Sequence, residues 1–272
     1  MSLRETKQLL QTYRITPNKL LGQNFMVQPS IFSKIAEYAK LGQNDVVLDA
    51  GAGFGFLTLL MANQCKRVVA VEKDPQIARA LHEKVRDLDN VIVIEGDVLK
   101  ATLPEFNKVV AIPPYYLSTR LLKWLLERNV DCALLILQKE FANRLGSAVG
   151  SEDYGWLTVI TRYHAKVELL DEVPKTLFYP QPDVDSVIAR LIPWKTKPFN
   201  VQDEDFFYRL VRWLFTKRNR KLENALIPFL ESEKCINREV SQKLAAVAPY
   251  RERRVRNLSP RDFGDLAIVL AE

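Results

Sequence analysis

The sequence predicts an α/β fold, in which a doubly wound and mostly parallel sheet is followed by a smaller all-α domain. Two observations support this prediction. Apolar runs typical of buried strands alternate with helical stretches from Ser30 to about Arg144, the pattern of a parallel sheet covered by helices on both faces. After residue 199, the chain consists of amphipathic stretches with helical spacing.

Six apolar runs are predicted to form the sheet, and the last two are expected to close it with an antiparallel edge pair. These runs span residues 46–49, 67–71, 91–94, 108–111, 165–170 and 186–192. Helices are predicted between the runs at 30–40, which Ser30 can cap, and at 75–88. Four further helices are predicted at 204–215, 220–230, 238–247 and 260–271.

The domain organisation follows from these elements. We expect one domain over residues 1–192, with a basic N-terminal tail, and a helical domain over residues 199–272, joined by the linker PWKTKP. No apolar run is long enough to span a membrane. The three cysteines are scattered and no signal peptide is recognisable, so we expect a cytoplasmic protein, and a monomer.

The most informative segment is VVLDAGAGFG, residues 46–55, an apolar run that ends in Asp49 and leads into a glycine-rich turn. Its glycines permit a tight turn and close approach of the backbone to a ligand, although a tight turn without a ligand explains them equally well. Two further acids, Glu72 and Asp97, follow the next two runs. Parallel strands bring such positions together at one edge of the sheet, where unpaired carboxylates favour a ligand.

Two classes of cofactor fit a glycine turn followed by acids. A dinucleotide site requires a third glycine at the position where this chain has Phe56. S-adenosylmethionine has no phosphate, and it presents an amine, two ribose hydroxyls and an adenine amine to three acids. Asp49, Glu72 and Asp97 supply those acids. The sequence therefore predicts S-adenosylmethionine as the cofactor of a methyltransferase.

Five segments resemble signatures of the rRNA adenine N6-dimethyltransferases, the KsgA-like family, and archaeal members in particular. They are KLLGQNF (19–25), the glycine turn with its acids, FYPQPDVDS (178–186), FTKRNRKLENAL (215–226) and RVRNLS (254–259). The resemblance covers almost the whole chain and implies a Rossmann-like methyltransferase sheet. From it and from the strand ends, we expect a cofactor site made of Gln23, Asn24, Met26, Asp49, Gly51, Gly53, Glu72, Lys73, Asp97, Val98 and Ile112.

The loop after the fourth run departs from the family pattern. The family usually has Asn-(Leu/Ile)-Pro-Tyr, but this chain has Ile112, Pro113, Pro114 and Tyr115, so the Asn acceptor for the adenine amine is absent. Loss of one acceptor costs on the order of 1–3 kcal/mol, or roughly ten- to a hundredfold in rate. We expect Ile112 and the Pro113 carbonyl beside the reacting amine, and Tyr115 and Phe178 around a flipped adenine. A rigid Pro-Pro turn without a catalytic role is the alternative.

Positive charge is concentrated near the C-terminal end. Residues 193–272 contain 16 Lys and Arg against 11 Asp and Glu, which accounts for five of the net six charges. A solvated basic face is one interpretation, and RNA binding is favoured beside a methyltransferase site. The expected RNA-binding residues are Lys217, Arg218, Arg220, Lys221, Arg253 and Arg254. Neither histidine lies in a motif, and no ligand spacing predicts a metal.

Three functions remain in competition. The first is an S-adenosylmethionine-dependent rRNA adenine N6-methyltransferase that (di)methylates two adjacent adenines in the hairpin loop near the 3′ end of small-subunit rRNA. The second is a ribosome-assembly factor of the same family that binds the pre-ribosomal small subunit but has weak or lost activity owing to Ile112. The third is a related methyltransferase for large-subunit rRNA, like the Erm enzymes, or for another nucleic acid.

Overall fold

The computed structural model describes residues 2–18 and 22–271, so the first three residues of the KLLGQNF segment lie outside the described residues. The chain forms two compact units. The sheet unit comprises the residues up to Ala142 together with Val167–Pro193, and the helical unit comprises Asn143–Lys166 together with the chain from Trp194 onward.

Helices alternate with strands in the sheet unit, whereas the helical unit consists mainly of helices. The helices are α1 Leu3–Thr12, α2 Pro29–Ala39, α3 Phe56–Ala62, α4 Pro75–Val85, α5 Ser118–Leu126, α6 Lys139–Gly146, α7 Trp156–His164, α8 Glu204–Phe215, α9 Leu222–Glu233, α10 Arg238–Val247 and α11 Pro260–Ala271. The strands are β1 Phe25–Met26, β2 Val46–Ala50, β3 Arg67–Glu72, β4 Val91–Glu95, β5 Lys108–Ala111, β6 Cys132–Gln138, β7 Ala165–Val173, β8 Phe178–Tyr179 and β9 Ser186–Pro193. One-turn 3₁₀ helices include Tyr115–Leu117 and Lys175–Leu177.

A seven-stranded sheet has the order β4-β3-β2-β5-β6-β9-β7. Strands β2 to β6 pair in parallel with their neighbours, and β9 runs antiparallel to β6. The strand order reverses direction between β2 and β5, and this switch point is where ligands bind in doubly wound sheets. The predicted α/β class and the predicted parallel sheet are therefore confirmed.

The sheet is stable because its central strands are buried on both faces. Val47 and Leu48 of β2 and Val68 and Val69 of β3 are fully buried, as expected for parallel strands between helical layers. Helix α2 begins one residue before its predicted start, with Pro29 at its first position, so Ser30 lies inside the helix and does not cap it.

A second, two-stranded sheet joins segments that are distant in the sequence. Strand β1 pairs antiparallel with β8, with Phe25 opposite Tyr179 and Met26 opposite Phe178. The GQNF part of the N-terminal signature is thus attached to the FYPQPDVDS segment by backbone hydrogen bonds.

The helical unit is built on α7 to α11. The ring of Tyr163 on α7 lies 5.2 Å from that of Phe207 on α8, and the Tyr154 hydroxyl donates to the carbonyl of Leu258 at 2.7 Å. The expected first domain ran without interruption to residue 192. In the structure, residues 143–166 belong to the helical unit, because both tyrosines need its helices to cover them.

Helices α8, α10 and α11 have the predicted bounds, whereas α9 begins and ends later than expected and α4 ends earlier. Asp203 caps α8 by accepting from the backbone N–H of Phe206 at 2.9 Å, and Asn237 caps α10 by accepting from Val240 at 3.0 Å. Within the described part of the chain, no helix has the length and apolar character needed to cross a membrane.

Candidate active site

The glycine turn occupies the carboxyl end of β2. Gly51 and Gly53 have φ angles of 82° and 55°, in the region that favours glycine. A Cβ added at Gly51 would lie 3.0 Å from Cδ of Pro114, so the turn and the Pro-Pro loop are in close contact. The backbone N–H of Gly51 donates to the Val71 carbonyl at 2.9 Å, which fixes the turn against the end of β3.

Glu72, at the end of β3, is held in one orientation by backbone donors. Its Oε2 accepts from the N–H of Gly53 at 2.9 Å, and its Oε1 accepts from the N–H of Asp74 at 2.9 Å. The residue is only 9% exposed. Burial raises the pKa of Glu72, and the backbone hydrogen bonds oppose that rise. Each carboxylate oxygen retains acceptor capacity toward a ligand.

Asp49, on β2, is the most deeply buried of the three predicted acids, with 1% exposure. The hydroxyl of Thr58 donates to its Oδ2 at 2.7 Å. Burial raises the pKa of Asp49 to about 7; the nearby Glu72 adds to the rise and the Thr58 hydrogen bond opposes it.

Asp97 follows β4 and lies beside Lys73, with 3.6 Å between the carboxylate and the ammonium. Its Oδ1 also accepts from the backbone N–H of Leu99 at 3.1 Å. The amide of Gln23 donates to Asp74 at 2.8 Å, which connects the N-terminal signature to the start of α4. Sequence reasoning did not anticipate this contact, since Asp74 reads simply as the cap of α4.

Apart from Asp49, these residues border one cavity with about 790 Å³ of space, part of it open to solvent. The expected site residues that line it are Gln23, Asn24, Gly51, Gly53, Glu72, Lys73, Asp97, Val98, Ile112, Pro113, Tyr115 and Phe178. Met26 and Asp49 line an adjoining cavity of about 400 Å³ that shares Asn24, Gly51 and Ile112 with the first. The structure thus brings together the side chains that the sequence analysis selected.

The loop after β5 forms one wall of the larger cavity. Ile112 packs in part against the core of the sheet unit. Tyr115 is half-buried, and its hydroxyl oxygen lies 2.7 Å from Oγ of Ser186. Phe178 is only 3% exposed and packs in the same core, so it forms wall and not an open platform for a base. Tyr116, at 47% exposure, is the exposed aromatic ring of this loop.

A family model described as ribosomal RNA adenine dimethylase matches residues 15–266. This chain belongs to the ribosomal RNA adenine dimethylase family. Membership confirms the predicted family, the enzyme class and S-adenosylmethionine as the cofactor.

Relatives of this dimethylase chain include archaeal and eukaryotic proteins. A probable ribosomal RNA small subunit methyltransferase A from Methanosarcina barkeri is 37% identical, over 96% of this chain and 90% of the relative. The crystal structure of a dimethyladenosine transferase from Plasmodium falciparum superimposes with a TM-score of 0.80 at 27% identity, covering 90% of this chain and 96% of the other. The 23S rRNA methyltransferase ErmE gives a TM-score of 0.68 at 27% identity, covering 91% and 100%.

The two basic signatures of this dimethylase chain lie side by side in the helical unit. Lys221 and Arg254 form an isolated antiparallel bridge, and the N–H of Leu222 donates to the Arg253 carbonyl at 2.8 Å. A groove of about 1020 Å³ is bordered by side chains suited to phosphates and bases, namely Asn219, Arg220, Lys221, Asn224, Arg238 and Arg254, together with Glu231.

Not every predicted RNA-binding residue borders this groove. The guanidinium of Arg218 donates to the carbonyls of Glu152 and Ser151 at 2.7 and 3.0 Å. That of Arg253 pairs with Asp262 at 2.9 Å and donates to the Asn257 carbonyl. Both arginines therefore tie loops of the helical unit together, and Lys217 is half-buried in the turn after α8.

Proposed function

We propose that this protein transfers methyl groups from S-adenosylmethionine to N6 of two adjacent adenines in the hairpin loop near the 3′ end of small-subunit rRNA, as a cytoplasmic monomer acting on the pre-ribosomal small subunit. The observation that supports this most directly is the juxtaposition, around one cavity, of acids from successive strand ends with the Pro-Pro-Tyr loop. The Methanosarcina barkeri relative, whose name specifies the small subunit, supports the substrate.

The residues that line the cavity fit S-adenosylmethionine better than a cofactor that carries phosphate. Among the described lining residues, Lys73 is the single cation, and it already pairs with Asp97. Glu72, Asp74 and Asp97 would repel a pyrophosphate, whereas they can accept hydrogen bonds from hydroxyls and amines. When bound, S-adenosylmethionine supplies a methyl group that its sulfonium activates.

The cofactor-binding roles follow from the fixed orientation of the acids. Glu72 receives the ribose hydroxyls, because two backbone N–H groups hold its carboxylate still. Asp97 and the backbone at Val98 would bind the adenine ring of the cofactor, and Gln23 and Asn24, which line the same cavity, would contact the cofactor as well. Asp49, which lines the adjoining cavity with Met26, would accept a hydrogen bond from the methionine amine.

The chain contributes alignment to the reaction more than proton transfer. The ring of Tyr115 stacks on the extruded adenine, and the Pro113 carbonyl accepts a hydrogen bond from its amine, which directs the nitrogen lone pair toward the methyl group. Burial lowers the pKa of His164 to about 4, and its Nε2 lies 2.5 Å from the Tyr208 hydroxyl within the helical unit. It belongs to the packing of that unit.

The groove of the helical unit is the surface we assign to rRNA. Arg220, Lys221 and Arg254 border it, and Arg238 adds a fourth cation that the sequence analysis did not select. The Lys221 ammonium pairs with Glu252 at 2.7 Å, but both side chains are more than half exposed, so a phosphate can replace the carboxylate at little cost.

The second candidate is an assembly factor that has lost the reaction, and Ile112 is the observation that favours it. Its side chain offers no hydrogen-bond acceptor and is committed in part to the core. Such a protein would still bind the cofactor and the subunit through the residues described above.

One experiment separates the two candidates. The protein is incubated with labelled S-adenosylmethionine and under-methylated small ribosomal subunits, and modified adenines are mapped by mass spectrometry. Dimethyladenine in the 3′ hairpin supports the proposed enzyme. Binding of subunits without methylation would favour the assembly factor, and methylation of small-subunit rRNA only at sites outside this hairpin would refute both.

A further inference from the structure

Tyr115 is fixed both at its backbone and at its hydroxyl group. Its backbone begins the one-turn helix Tyr115–Leu117, directly after the Pro-Pro pair, and its hydroxyl oxygen lies 2.7 Å from Oγ of Ser186. Ser186 is fully buried at the first position of β9, where it pairs in register with Gln138 of β6. The ring, in contrast, borders the larger cavity.

The strand end that carries Ser186 is itself fixed. The carbonyl of the preceding residue, Asp185, accepts from the backbone N–H of Lys139 at 2.9 Å. The Asp185 carboxylate accepts from the backbone N–H of Lys175 at 2.8 Å. These hydrogen bonds fix the position of the Ser186 hydroxyl. A hydrogen bond between that hydroxyl and Tyr115 therefore restricts the rotation of the Tyr115 side chain.

The restricted rotation of Tyr115 is especially important in this chain, because Ile112 stands where the family pattern has Asn. With no Asn side chain to hold the adenine amine, the direction of the reacting nitrogen depends on how the base lies against the Tyr115 ring. Small errors in the angle of that ring then translate into lost alignment at the reacting atoms.

We propose that Ser186 is a positioning residue for methyl transfer, whose hydroxyl fixes the Tyr115 ring at the angle on which the target adenine stacks. The inference rests on the proposed function, in that it takes the base at Tyr115 to be the methyl acceptor. Ser186 acts through Tyr115 and does not touch the substrate.

The test compares Ser186→Ala, Tyr115→Phe and the double variant. Each single change removes the hydrogen bond and keeps the ring, so we expect kcat to fall about tenfold in each, the value of one positioned hydrogen bond, with the KM for S-adenosylmethionine unchanged. Because both changes remove the same interaction, the double variant should lose no more than either single variant. Ser118→Ala is the matched control, since its hydroxyl is also buried but has no hydrogen-bond partner among the described residues.

A spectroscopic readout separates positioning from a merely structural role. A hairpin oligonucleotide with 2-aminopurine at the target adenine reports this stacking when the fluorescence of the bound complexes is compared, because contact with the tyrosine ring quenches the extruded base. We expect this quenching with the native protein and with Ser118→Ala, and a clear reduction with Ser186→Ala and Tyr115→Phe. Thermal unfolding of each variant shows whether it is folded under the assay conditions.

The outcomes are distinct. Native kcat and native quenching in Ser186→Ala or in Tyr115→Phe would overturn the positioning role, and so would additive losses in the double variant. If Ser186→Ala does not fold, kcat and quenching of Tyr115→Phe alone still test the positioning role. If the native protein methylates no adenine, the proposed function fails, whereas quenching that depends on Ser186 would still support the positioning of the ring.

Discussion

Ile112 occupies the position at which the family pattern usually has Asn, in the loop that borders the larger cavity. It packs in part against the core of the sheet unit and also lines the cavity. Under the proposed function, the Tyr115 ring and the Pro113 carbonyl bind the target adenine without the amide oxygen that Asn would supply.

Replacing Ile112 by Asn should restore that acceptor. We expect the single-turnover rate of adenine methylation to rise about tenfold or more, since one hydrogen bond to a reacting amine contributes on the order of 1–3 kcal/mol. Single-turnover assays with labelled S-adenosylmethionine and small ribosomal subunits measure the change. Ile112→Leu keeps the apolar packing without an acceptor and should show no gain; an equal gain in both variants would attribute it to packing.

Asp49 should make the stability of the protein depend on pH. Its folded-state pKa of about 7 lies above the ordinary value of 3.8, so the folded state retains the proton that the unfolded state has already lost. The free energy of unfolding should therefore fall as pH rises from 3.8 to about 7, by an amount that Asp49→Asn abolishes. Urea unfolding of both proteins at several pH values tests this, and parallel pH curves would show that Asp49 is ionised in the fold.

At the scale of elements, the glycine turn combines backbone strain with close packing. Gly51→Ala places a Cβ 3.0 Å from Pro114 Cδ at a φ of 82°, which should destabilise the protein by about 1–2 kcal/mol and weaken cofactor binding. Titration calorimetry with S-adenosylmethionine and thermal unfolding measure the two effects. Gly42→Ala is the control, because its added Cβ meets only Asp45 Oδ2, at 3.6 Å. Equal behaviour of the two variants would mean that the turn is not constrained.

We also make a prediction for the basic signature 215–226, which contains Arg218 and Arg220. Arg220→Ala should leave stability unchanged and reduce the slope of log affinity for rRNA against log salt by about one, the effect of one lost phosphate contact. Arg218→Ala should leave the slope unchanged and lower the free energy of unfolding by about 1–3 kcal/mol, because its guanidinium bonds two carbonyls. Filter binding at several salt concentrations and urea unfolding measure the pair. The reverse pattern would exchange their assigned roles.

Sequence reasoning predicted those elements whose pattern is local. The runs at 67–71, 91–94 and 108–111 lie in β3, β4 and β5, because continuous apolar residues bounded by polar ones are typical of buried parallel strands. Strand β6, Cys132–Gln138, was not predicted; it follows the apolar helix α5 closely, and a short apolar run has no period that separates strand from buried helix.

The site residues also divide into those that a local sequence pattern predicts and those that it does not. The acids and glycines were predictable because each follows a strand, and parallel strands bring their ends together. The pairing of β1 with β8, the Gln23 contact to Asp74 and the hydrogen bond between Tyr115 and Ser186 were not, since each joins residues more than 50 positions apart. Ser186 stands in the FYPQPDVDS segment, but only the fold shows which side chain it meets.

For the molecule as a whole, the two structural units differ in net charge more than the two predicted domains do. The helical unit, which includes residues 143–166, contains 19 Lys and Arg against 13 Asp and Glu, and the sheet unit contains 20 of each. The helical unit thus accounts for the entire net charge of +6. Long-range attraction to RNA should arise from that unit, whereas the sheet unit is electrically balanced apart from its local acids.

The helical unit is assembled from two separated stretches of chain, 143–166 and the residues after 193. Removal of everything beyond residue 193 would therefore leave Tyr154 and Tyr163 without the helices that bury them. This arrangement bears on how such a protein can change during evolution. A single recombination point cannot exchange the helical unit for another, because the new sequence would have to accommodate a helix that is encoded within the sheet unit's stretch of the chain.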